Sequence, residues 1–200
     1  MIIDNTLKQL LAPSGHLQAQ PATDWTGDMP LPQVLADFYA NIGPMGETYH
    51  ANIGPVGLTF NVGGNPVCVP PLAKLWKLQA GYRWHGLTGE RLADWQDHWL
   101  VIAEQGGDPF ILDTLSNEIL FAFHGANSWI PQLIAPNLAT AIGAIATVAN
   151  TLDALGDDAY DDDGCELASA SRLAVTNALA SYFNDESTAH MFLSTWQWYE

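Results

Sequence analysis

Two hundred residues, 48% of them apolar and eight of them tryptophan, are enough for one well-buried core and are not the composition of a disordered chain. Six basic residues against 22 acidic ones leave a net charge of −16. That field repels phosphate backbones and anionic lipid, which argues against nucleic acid and membrane surfaces as partners; it attracts basic proteins and also keeps a chain soluble.

A short helix is expected over residues 3–11, stopped by Pro13-Ser14-Gly15. A polar loop leads to Pro32. A second helix follows over 33–41, with Val34, Leu35, Phe38 and Tyr39 inward and Gly43-Pro44 as its stop. Residues 40–46 (ANIGPMG) recur as 51–57 (ANIGPVG), a local duplication with too few copies for a repeat fold. Strands are expected over 58–62 and 66–69, around a Gly63-Gly64-Asn65 turn. A helix over 71–80 starts at Pro71 and puts Leu72, Leu75, Trp76 and Leu78 in the core. The clearest sheet signal comes next, with Trp99-Leu100-Val101-Ile102-Ala103, a turn at Gly106-Gly107-Asp108, a strand over 109–113, a turn over 114–117 and a strand over 118–124. Connections this short cannot hold a crossover, so the strands must be antiparallel.

Residues 131–152 carry no charge. Within them Leu138, Ile142, Ile145, Val148 and Leu152, continued by Leu155, recur at helical spacing as one apolar stripe, and Pro136, Asn137, Thr140, Thr147 and Asn150 interrupt the run. The segment therefore reads as a core helix and not as a membrane span. Its remaining faces are small and uncharged up to Asp153, so something must cover them. A helix over 165–183 offers Leu173, Leu179, Tyr182 and Phe183 for that purpose. A last helix from near Ser187 carries Met191, Phe192, Trp196, Trp198 and Tyr199. Ten acidic residues lie in 153–200 against the single base Arg172. The expected organisation is a main α+β domain over 1–155, an antiparallel meander sheet wrapped by helices at both ends, with a helical extension over 156–200 packed on it.

Candidate chemistry is sparse. Asp161-Asp162-Asp163-Gly164 resembles part of an EF-hand loop, but aligning its glycine places Ala159 and Ala170 at the two carboxylate positions that matter most. The six histidines show no HxxxH spacing and the two cysteines, Cys68 and Cys165, no CxxC pair, so no metal and no cofactor is expected. Both thiols are expected reduced, in a cytoplasmic protein, since Met1-Ile2-Ile3-Asp4 lacks a basic leader segment; a single long-range Cys68–Cys165 disulfide is the alternative. A Cys68–His124–Asp108 triad has no local support, because Cys68 lies between Val67 and Val69 as a core cysteine would. Asp108 and Asp113 flank a strand as turn formers do. Gly63-Gly64-Asn65 lacks the Lys-Ser/Thr of a P-loop. No catalytic residue is assigned. Trp76, Trp95 and Trp99 read as core, whereas Tyr82, Arg83, Trp84, Asp108 and Trp129 are the candidate binding residues: aromatics beside an arginine are what protein interfaces enrich.

Leu31-Pro32 leading into Phe38-Tyr39 and Asn41-Ile42-Gly43, followed by the meander from Trp99 through Gly106-Gly107-Asp108-Pro109-Phe110 to His124 and Trp129, resembles the SUKH superfamily, Smi/Knr type. The likeness covers roughly residues 30 to 150. It implies an α+β sheet wrapped by helices, no active site and a protein partner; bacterial members neutralise a cognate toxin, often a nuclease, and fungal ones regulate cell-wall synthesis. A basic nuclease would suit a chain at −16. This chain departs from the pattern where Ile42 separates Asn41 from Gly43, where the duplicated segment follows, and in the helices after about residue 155. An immunity protein is thus the leading expectation. The rivals are a regulatory or scaffold protein with an endogenous partner, and a small hydrolase using His124 with an acidic neighbour. A second copy of the chain is a further candidate partner.

Overall fold

Every strand pairs with its neighbour in sequence. The structure, a computed structural model, describes residues 3–45, 57–126, 128–161 and 166–198. Strands β1 (Leu58–Phe60), β2 (Val67–Val69), β3 (Trp99–Gln105), β4 (Asp108–Asp113), β5 (Ile119–Phe121) and β6 (Gln132–Ala135) form one antiparallel sheet in that order. Short turns dictate this meander. Gly106 and Gly107 both take positive φ (60° and 101°) between β3 and β4, the two-residue hairpin geometry that matches sheet twist and that glycine adopts without strain. After β4, Asp113 Oδ1 accepts from the Leu115 and Ser116 amides at 2.9 and 3.4 Å, so the aspartate does form a turn.

The sixth strand was not expected. Pro131 and Pro136 bracket it and read as breakers, but at a sheet edge the outward N–H positions need no partner and proline is tolerated.

Among the described residues six α-helices accompany the sheet. In α1 (Asn5–Leu11) the Asp4 carboxylate accepts from the Thr6 and Leu7 amides at 3.0 and 3.1 Å, satisfying donors the first turn leaves open. Helix α2 (Gln33–Asn41) buries Leu35, Phe38 and Tyr39, and leaves Val34 half-buried. Helix α3 (Leu72–Leu75) is one turn, continued by a 3-10 turn over Lys77–Gln79, and is shorter than the helix expected over 71–80. The chain leaves helical geometry where the Gln79 side chain docks on β3. Helices α4 (Leu138–Leu155), α5 (Ser169–Phe183) and α6 (Glu186–Trp196) complete the set. The second copy of the duplication lies outside the described residues except for Gly57, as do Cys165, Tyr199 and Asp162-Asp163-Gly164.

One face of the sheet carries the main core. Phe60, Val67, Leu100, Phe110, Leu112 and Phe121 point into it together with side chains of α1, α4 and α6. Helix α4 is buried on more than the expected stripe, since Ala139, Ala141, Gly143, Ala144, Ala146 and Ala149 are covered as well. By length and composition this stretch could cross a membrane, with mean hydropathy 1.4, yet 67% of it is buried inside the fold. Its small residues permit close neighbours: the Tyr182 hydroxyl of α5 donates to the Thr140 carbonyl oxygen at 3.1 Å, directly over Gly143.

The expected inward set of α5 needs correction. Leu179 is buried with Val175 and Ser171, one turn apart each, whereas Leu173 is 61% exposed. Six residues from Leu179 at 3.6 per turn rotate the side chain about 120° away from the buried face. Residues 166–198 nonetheless share the main core. Phe192 stacks on Phe183 and on Trp196, and Trp196 meets Phe110 with ring centres 5.7 Å apart. Its indole N–H donates to Gln105 Oε1 at 2.7 Å, and that of Trp198 donates to the Val62 carbonyl oxygen at 2.9 Å.

Candidate functional site

Among the described residues no α-helix packs on the second face of the sheet, and its cover starts from an incomplete strand pairing. β2 meets β3 only at Glu104 and Gln105, so the adjoining edge of β3 from Trp99 onward has no strand beside it. Unpaired backbone groups there would be costly once buried. Side chains of residues 79–95 replace the missing strand. The Gln79 amide is fully buried; its Nε2 donates to the Val101 and Leu75 carbonyl oxygens at 2.8 and 2.9 Å, and its Oε1 accepts from the Val101 amide at 2.9 Å. The Trp95 indole donates to the Trp99 carbonyl oxygen at 3.0 Å, and Arg83 Nη1 donates to the Asp97 and Trp99 carbonyl oxygens at 2.8 and 3.3 Å.

This capping holds an aromatic group against Val101, Ile111 and Ala122. Tyr82, Trp95 and Trp129 pack mutually, tilted or edge to face, with ring centres 5.4 to 5.6 Å apart. The Tyr82 hydroxyl lies 2.9 Å from Glu104 Oε2 and 3.0 Å from the Gly107 carbonyl oxygen. Burial first, and the Glu104 charge next, push its phenol well above the ordinary range, so it stays a proton donor. Arg83 is buried with its guanidinium 5.5 Å over the Trp76 ring. Burial and Arg91 lower its pKa, while Asp28 and Asp97 act the other way. Trp84, half-buried, packs on the same Trp76 at 5.0 Å.

Beside Trp129 the surface opens into a cleft of about 330 Å³, walled by Gly81, Asp94, Phe123, Gly125 and Ser128. Phe123 and Ile130 expose apolar surface, at 37% and 70%. The wall after β5 is fastened by His124: Asp108 Oδ1 accepts from its backbone amide at 2.8 Å and lies 2.6 Å from Nδ1. Arg83 and Arg91 are committed to Asp97 and to backbone carbonyls. Among the described residues Asp94 has no hydrogen-bond or ion-pair partner.

The five residues selected from sequence thus fall into related places. Tyr82 and Trp129 pack on one another, Arg83 and Trp84 flank Trp76, and Asp108 anchors the loop that leads to Trp129 through His124. Tyr82 and Arg83 are buried and support the face without presenting themselves to a partner. Asp94, Phe123, Gly125 and Ser128 were not anticipated; the last three share the connection from β5 to β6, and Asp94 comes from the distant loop before β3. The imagined triad does not assemble. His124 bonds Asp108, whereas Cys68 meets Thr59 and Glu104, and its thiol is raised by burial first and by Glu104, against a hydrogen bond with Thr59. A thiol held protonated is a poor nucleophile. Among the described residues no group of three or more His, Cys, Asp or Glu is placed to hold a metal ion. No protein-family model, curated protein or solved structure matches this chain.

Proposed function

We infer that this chain is a non-enzymatic, cytoplasmic protein-binding domain that engages a basic partner through the cleft face built on Tyr82, Trp95 and Trp129. The observation that carries the reading is that face: packed aromatic rings beside an open concavity with an unpaired carboxylate, on a chain of net charge −16. Aromatic anchors near pockets supply most interface energy, and a field of this sign speeds encounter with a basic protein. The SUKH-like order of motifs over residues 30 to 150 and the antiparallel meander support the narrower form, an immunity protein that neutralises a cognate toxin domain such as a basic nuclease. The same face would serve a regulatory or scaffold protein, and the identity of the partner separates the two.

Affinity capture from the native host, followed by mass spectrometry, tests the reading. One basic protein should be retained by the wild-type chain at low salt, weakened at high salt and lost from Trp129→Ala. No captured protein, or one held equally by the variant and indifferent to salt, would contradict it.

One observation favours a hydrolase as a second reading. Asp108 lies 2.6 Å from His124 Nδ1, which is how a general base is oriented, leaving Nε2 free. It ranks below the first because, among the described residues, no serine, threonine or cysteine is hydrogen-bonded to that imidazole. A hydrolytic activity abolished by His124→Gln would reverse the ranking.

A further inference from the structure

We propose that the cleft beside Trp129 is a receptor for a single arginine side chain of the protein partner. The proposal rests on the protein-binding reading and deepens it by naming the chemistry of the contact. At about 330 Å³ the cleft is at the small end of ligand sites, fitting one side chain more readily than a folded element. Its lining combines Trp129 and Phe123 with Gly81 and Gly125, whose missing side chains leave the approach open: a Cβ placed on either would meet nothing within 4 Å. Asp94 supplies a carboxylate with no hydrogen-bond or ion-pair partner among the described residues, while Arg83 and Arg91 bond Asp97 and backbone carbonyls.

A planar guanidinium stacks on an aromatic face and bonds a carboxylate with two parallel N–H groups, which an ammonium cannot do. The charge of −16 favours a basic partner for the chain as a whole, and Asp94 is the carboxylate at the cleft itself. The cleft's apolar and acidic walls thus match both halves of an arginine, its planar cation and its apolar stem.

Three blocked pentapeptides, with arginine, lysine or citrulline between glycines, are titrated into the ¹⁵N-labelled full chain. The indole N–H of Trp129 and the amide of Gly125 should shift saturably with the arginine peptide, more weakly with lysine and not with citrulline, which keeps the shape and loses the charge. Asp94→Asn should weaken the arginine response about threefold and Trp129→Leu about fivefold or more, in spectra that otherwise keep wild-type dispersion. Equal responses to lysine and arginine, or to citrulline, overturn the assignment. So does an arginine response spread over the acidic surface that Asp94→Asn leaves unchanged. A captured protein partner that binds Asp94→Asn as tightly as wild type would sink this inference and leave the protein-binding reading standing. A localised arginine response with no protein partner captured would contradict the protein-binding reading and leave only the cleft's preference for a guanidinium.

Discussion

Gln79 and Val101 are joined by a paired donor and acceptor, the arrangement two neighbouring strands would make. An apolar residue of similar size fills the space but leaves the Val101 amide and carbonyl buried and unpaired, at about 1–3 kcal/mol for each such group. Gln79→Leu should therefore lower stability by about 3 kcal/mol in urea unfolding and reduce the Tm by about 10 °C. A loss under about 0.5 kcal/mol, the range of an ordinary surface change, would show that water replaces the glutamine. Nothing in Leu78-Gln79-Ala80 distinguishes this glutamine from a solvated one, because its partner is 22 residues away and the need arises from the shortness of β2. Tyr82 was legible because it sits beside Arg83 and Trp84, and Trp129 because a tryptophan just after a strand is less obviously interior. Asp94 was not, since an isolated acid in a chain with 22 of them carries no signal.

Among the elements, the α4–α5 contact turns on one atom pair. A Cβ on Gly143 would lie 2.3 Å from the Tyr182 hydroxyl oxygen. Glycine to alanine within a helix ordinarily stabilises by about 1 kcal/mol; here Gly143→Ala should destabilise by about 1–3 kcal/mol, because the tyrosine must move and give up Thr140. Adding Tyr182→Phe should recover part of that loss, a non-additivity that a double-mutant cycle in urea would measure. Additive losses would mean that the helices simply slide apart. The C-terminal helices contribute Phe192, Trp196 and Trp198 to the main core, and a chain ending at Leu155 would expose Phe110 and its neighbours. That shortened chain should aggregate and melt well below the full one in light scattering and calorimetry; equal solubility and Tm would contradict the shared core. The meander was readable because its turns are Gly-Gly and Asp-led and its apolar runs are short, and α2 because four apolar residues and a Gly-Pro stop fix it. β6 was hidden by two prolines, and the buried phase of α5 by a Leu173 that belongs to the outer surface.

For the molecule as a whole, alkali should be more damaging than the fold's size suggests. Tyr39, Tyr82 and Tyr182 all have pKa values raised by burial, with Glu104 adding to the effect at Tyr82. The native state therefore holds protons that the unfolded chain releases near pH 10, the ordinary tyrosine value. Their contribution is intact below about pH 10 and declines as pH rises toward the folded-state values. Urea midpoints followed from pH 8 to 11.5 should be flat at first and then fall, in step with the tyrosinate absorbance of the unfolding chain. Removing Tyr39 alone, as Tyr39→Phe, should shallow the fall.

The proposed partner contact lies on the face of the sheet built on Tyr82, Trp95 and Trp129. Hydrogen exchange of the full chain, alone and with the captured partner, tests that placement most directly. The account predicts added protection in residues 81–84, 92–95 and 122–129, with α5 and α6 unchanged. Protection confined to α5 and α6, with the amides around Tyr82 and Gly125 exchanging as in the free chain, would contradict it.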